Sequence, residues 1–166
     1  MSRQRVARHP LGWPIRCSFL VEAACLAGLL VVARSLEPDP RGFGTHMQLG
    51  LPHCAFLTVT GRLCPTCGMT TSFSWLTRGR IDRSWRANPA GCLYALLTVP
   101  LLSWLVWSAV ANEPAGFQHP SVPLTGLVIA AVALGLASWL IRLIVSPSVL
   151  VEPGDNLATF IRTVGL

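Results

Sequence analysis

Two thiols three positions apart, Cys64 and Cys67, stand in the run Cys64-Pro65-Thr66-Cys67-Gly68. Pro65 stiffens the turn between them, and Gly68 admits a backbone shape that other residues resist. Two chemistries use such a pair. In a zinc knuckle the two sulfurs converge and supply half of a tetrahedral site. In a redox dithiol the N-terminal thiol ionises more easily and closes a disulfide with the second. A third reading is a tight buried turn that uses cysteine only for its small size. Cys54 adds a further thiol upstream, and His53 or His46 could complete a Cys-three-His set. The metal-ligand set is therefore Cys54, Cys64, Cys67 and His53, with zinc as the metal and no other cofactor indicated. The redox set is Cys64 and Cys67. Cys17, Cys25 and Cys92 lie in or beside apolar runs and read as small packing residues. The chain has no phosphate-binding loop, no Ser-His-Asp arrangement and no paired carboxylates, which argues against a hydrolase or a kinase.

The elements that position these thiols are apolar. Of the 166 residues 52% are hydrophobic and only 12% charged, against roughly 25% charged in an ordinary soluble domain. Residues 1–17 form an Arg-rich arm, 18–146 a single membrane domain and 147–166 a mixed tail. The first apolar run, Ser18 to Ala33, reaches about the ~20 residues of a span once Ile15 and Leu36 are counted. No clear cleavage site follows it, so it reads as an uncleaved span. Gly91 to Ala111 and Val122 to Val145 are the second and third spans, with Asn88 as N-cap and Pro89 in the first turn ahead of the second.

The sequence contains no Lys, so its 13 cationic residues are all Arg. They flank the apolar runs instead of lining one polar face, which argues for a lipid surface and against nucleic acid. With three crossings and the N-terminus inside, four arginines fall inside and nine outside. A further crossing between His46 and Thr77 reverses this to ten inside and three outside, as the positive-inside rule requires. Pro52, Gly61, Arg62 and Pro65 rule out a continuous span there. The expectation is a re-entrant cysteine loop that meets a short helix, about Gly68 to Thr77, covering half the membrane. The polar side chains of that helix, Thr70, Thr71, Ser72 and Ser74, should bond to neighbouring backbone. Asp82 should cap the turn that follows.

The stretch from Gly61 through Cys-Pro-Thr-Cys-Gly-Met-Thr-Thr and Ile81-Asp82 to Asn88-Pro89 resembles a bacterial membrane family catalogued as domain of unknown function 2752 (DUF2752). Its pattern is Cys-Pro-x-Cys-Gly-x-Thr, a short apolar helix, Gly with an acid soon after, then Asn-Pro leading into a span. Cys54 matches an upstream Cys frequent in that family, and the likeness covers about residues 54–100. Many members carry Arg after the Thr; here Thr71 stands there, as in a planctomycete-like Met-Thr-Thr variety, so no role of that Arg transfers. The resemblance implies a multi-span membrane fold and lends no activity.

Together these readings give an all-α membrane protein with three full transmembrane helices plus the half-membrane helix. The expected place is the inner membrane, multi-pass, with both termini cytoplasmic. The partners would be the lipid bilayer and an unidentified membrane protein. Function divides between a structural metal or scaffold site and a membrane thiol-disulfide oxidoreductase.

Overall fold

The protein was analysed as a computed structural model, which describes residues 12–112 and 121–145. The sequence-defined arm, tail and outer loop therefore lie mostly outside the described residues. Every regular element described is helical: α1 Trp13–Ser35, a 3-10 turn Thr45–Leu49, α2 Ala55–Thr60, α3 Met69–Leu76, α4 Ile81–Ala87, α5 Pro89–Ala111 and α6 Ser121–Val145. Pro14 sits in the first turn of α1, where its missing N–H costs nothing. The helix thus begins earlier than the apolar run does, and it stops as Leu36 turns extended, shortly before Pro38. At α5 the Asn88 side chain accepts from Gly91 N at 2.9 Å, the N-cap expected from the sequence. Two helices, α1 and α5, are long and apolar enough to cross a membrane; in α6 the apolar stretch so described is the shorter 129–144. Val21, Val31, Val99, Trp107 and Val110 of α1 and α5 point outward. A helix in the core of a water-soluble domain would bury them.

α1 and α5 run antiparallel. Arg16 Nε donates to Ala109 O at 3.0 Å, and the Phe19 and Trp104 rings lie 5.7 Å apart. At the other end Ser74 Oγ donates to Leu36 O at 2.7 Å, while Ser72 Oγ lies 3.1 Å from Asn88 O. α6 returns against α5: the Tyr94 hydroxyl donates to Ala131 O, and farther on Trp139 and Arg142 reach the cysteine loop. Residues 36–88 are therefore a cap at one end of the helices. The expected crossing between His46 and Thr77 is not made. α3 has the expected length, but it lies beside the end of α1 and the start of α5 and returns the chain to the end it left.

α3 is held by its hydroxyls. Thr71, Ser72 and Ser74 are fully buried. Thr71 Oγ1 is 2.8 Å from Thr45 Oγ1, Ser84 Oγ donates to Ser72 O at 2.8 Å, and Arg78 Nη1 donates to Ser74 O at 3.0 Å. Hydroxyls serve here because α3 meets loop backbone, whose carbonyls need donors. Ser72 and Ser74 bond to neighbouring backbone as expected, whereas Thr71 meets a side chain and, with Thr70, lines the cavity described below. Asp82 is not the cap: Arg80 occupies the N-cap position of α4, and Asp82 lies in its first turn, paired with Arg80 at 3.4 Å.

Gly68 joins the cap to itself. Its φ is +84°, and a Cβ there would lie 2.5 Å from Ala87 O and 2.6 Å from Gly42 O. Gly61 also has positive φ, at +66°, but nothing stands within 4 Å. Gly61→Ala should cost about 1 kcal/mol of backbone strain. Gly68→Ala should cost about 2–4 kcal/mol, since clash adds to strain. Thermal unfolding of the two variants in one detergent tests this; equal losses would show that the cap tolerates separation at Gly68.

Candidate metal centre

The cysteine turn is built by its own backbone. Cys67 N donates to Cys64 O at 3.1 Å and Met69 N to Thr66 O at 3.0 Å, while Gly68 in the left-handed region sends the chain into α3. The two thiols thereby face one another, with Sγ atoms 3.1 Å apart. Cys54 arrives on a separate segment as the N-cap residue of α2, a helix that ends at Gly61, also left-handed. All three Sγ atoms lie within 4.8 Å of one another. Cys67 is buried and the other two are half-buried. A tetrahedral zinc with Zn–S of about 2.3 Å spaces its sulfurs about 3.8 Å apart. Separations of 3.1 Å for Cys64–Cys67 and at most 4.8 Å throughout the cluster are compatible with that spacing. Among the described residues no histidine nitrogen or carboxylate joins this group. His46 Nε2 is 3.2 Å from Pro52 O, and His53 lines the same cavity as the thiols.

Three side chains from outside the loop hold it. Asn88 Nδ2 donates to Cys67 O at 3.0 Å and Pro65 O at 3.2 Å, while its Oδ1 caps α5. Arg142 Nη1 donates to Cys67 O at 3.1 Å, and Trp139 Nε1 to Leu63 O at 2.9 Å. Sequence reading assigned Asn88 only its cap and did not connect Trp139 or Arg142 with the cysteine loop. The available signal was Arg142 itself, a cation near the end of an apolar run, which calls for a partner.

The thiols form one wall of a cavity of about 750 Å³. Its remaining walls are mostly apolar, with Leu29 and Val32 from the end of α1 facing Met47, Leu57 and Phe73 across the space. Arg41, also on the wall, is 3.0 Å from Asp39, whose carboxyl it holds below its usual range although partial burial opposes this.

The cysteine loop lies outside the two long helices, and its thiols differ in acidity. Burial disfavours the Cys64 thiolate, but hydrogen bonds from Thr66, Cys67 and Cys54 outweigh it and bring the thiol below its ordinary value. Burial, reinforced by the bond to Cys64, pushes Cys67 far up. A cluster with one easily ionised thiol can capture a soft cation stepwise, the metal driving off the remaining protons.

Residues 54–105, from Cys54 into α5, match the model of the family described as protein of unknown function (DUF2752). No curated protein and no solved structure matches it.

Because the thiolate is the reactive form, metal-free protein should be alkylated at Cys64 before Cys67. Peptide mass spectrometry after limited iodoacetamide at neutral pH reads the order, and first modification at Cys67 contradicts the assignment. For the loop, Asn88→Ala should destabilise by about 2–4 kcal/mol, through a lost cap and two lost carbonyl partners. Asn88→Asp keeps a capping oxygen but loses the Nδ2 donors. Comparable loss in both variants, measured by thermal unfolding, is expected; full stability of Asn88→Asp would reduce Asn88 to a helix cap.

Proposed function

We propose that this chain is an integral membrane protein of three spans, α1, α5 and α6, whose cap holds a zinc ion on Cys54, Cys64 and Cys67. The observation that carries this reading is the convergence of three thiols from two segments within 4.8 Å. Donors from α5 and α6 fix the loop that bears two of them. A dithiol alone would not call for Cys54, whereas thiolate sulfurs are zinc's preferred structural ligands. The metal would tie α2 to the cysteine turn, giving a small cap rigidity that its few apolar contacts do not supply. Its role is that of a scaffold or subunit in the lipid bilayer, offered to a membrane protein partner.

The orientation follows from the antiparallel helices. Arg16 lies at one end of them, and Arg34, Arg41, Arg62, Arg78, Arg80, Arg83, Arg86 and Arg142 lie at or near the end that bears the cap. The positive-inside rule then puts the cap in the cytoplasm and the start of α1 outside. This replaces the expectation of two cytoplasmic termini, keeping the C-terminus inside and the 112–121 loop outside. A bacterial inner membrane fits this arrangement. A cytoplasmic cap also keeps thiols reduced, which favours a metal over a stable disulfide.

The second reading, a thiol-disulfide oxidoreductase, is favoured by the 3.1 Å separation of Cys64 and Cys67 Sγ and their unequal acidity. Elemental analysis with thiol counting separates the two. About one zinc per chain, lost in Cys54→Ser, Cys64→Ser and Cys67→Ser alike, is expected; metal-free protein with a reducible Cys64–Cys67 bond would install the second reading instead. For orientation, Arg62→Cys, with labelling at position 62 read apart from the native cysteines by peptide mass spectrometry, should react there with an impermeant maleimide in inside-out vesicles and not in intact spheroplasts. The reverse pattern would restore an outward-facing cap.

A further inference from the structure

The metal reading leaves one coordination position to assign. Structural zinc sites are closed by four protein ligands, whereas sites with three protein ligands keep a place for another molecule. Cys54, Cys64 and Cys67 supply three, and all three line the 750 Å³ cavity. That volume lies within the roughly 300–1,000 Å³ of small-molecule sites, which are typically apolar with a few polar groups at one end. Here the walls are Leu29, Val32, Met47, Leu57 and Phe73, and the polar end is the thiol cluster.

Charge selects the kind of donor. A divalent ion on three thiolates carries one net negative charge. Arg142, fixed on Cys67 O at 3.1 Å, balances it. Arg41, a cation on the cavity wall, is already paired with Asp39. A neutral fourth donor leaves the whole assembly neutral, whereas an anionic one would leave an uncompensated charge in a partly buried site, which is less favourable.

We infer that the cap is a binding site for a small apolar molecule with a neutral nitrogen donor, which enters the cavity and completes the metal's coordination. This rests on the metal reading. The thiolates and Arg142 set the donor's charge, and the cavity sets the size and apolarity of its body. His53 on the same wall would contact that body instead of the ion.

The test uses the full chain in phosphatidylcholine–phosphatidylglycerol nanodiscs, loaded with Co²⁺ because its d–d bands report the ligand set that zinc hides. Titration with 1-methyl-, 1-butyl- and 1-hexylimidazole should shift the bands saturably, with affinity rising about two- to fourfold for each added methylene buried. Butanethiol and hexanethiol should bind more weakly than the imidazole of equal chain length. Val32→Phe, which narrows the cavity, should weaken hexylimidazole at least tenfold while leaving bound cobalt unchanged, and His53→Ala should leave the unliganded spectrum unchanged. Cobalt that binds with bands unmoved by any probe, or a spectrum that loses a nitrogen ligand in His53→Ala, would show a closed site and overturn this inference while sparing the metal reading. Failure of the wild-type chain to bind Co²⁺ or Zn²⁺ would overturn both.

Discussion

The carbonyl of Cys67 is where the molecule is joined. It accepts from Asn88 at the start of α5 and from Arg142 near the end of α6. The next residue, Gly68, lets Ala87 and Gly42 come closer than any side chain would permit. One peptide thus gathers two long helices and the loop after α1. The thiols depend on this: the backbone that aims Cys64 and Cys67 is fixed from outside the turn, so their geometry belongs to the tertiary structure and not to the motif alone.

Local features were legible in the sequence for local reasons. Apolar run lengths gave α1, α5 and α6 nearly to their bounds. Asn88-Pro89 announced the start of α5, and Gly68 announced the turn into α3. Direction was not legible, because the arginine distribution has two solutions. Four crossings with the N-terminus inside and three with it outside both put most arginines in the cytoplasm. Only contacts such as Arg16 with Ala109, far apart in the chain, separate them. The thiol cluster was legible as a set of residues, yet its surroundings were not: the spacing of Cys54, Cys64 and Cys67 says nothing of the cavity, which needs the last turns of α1 as a wall.

The family segment ends at residue 105, within α5. α1, Trp139 and Arg142 lie outside it. The cluster, its Asn88 support and part of the cavity wall, Leu57 and Phe73, lie within that segment, while Leu29 and Val32 of the wall and the Arg142 donor do not. The shape and charge of this pocket are therefore set partly by residues outside the matched segment.

Leu36 O, at the end of α1, receives its partner from Ser74, 38 residues later. During synthesis α1 leaves the ribosome first, and this bond must wait until α3 has been made. α5, the helix that α1 packs against, comes later still. The first helix is therefore without either partner while residues 36–88 are translated, and the antiparallel pair closes only after the cap has been made. Assembly is thus ordered in time. A cap that closed early would present a finished docking face to α5.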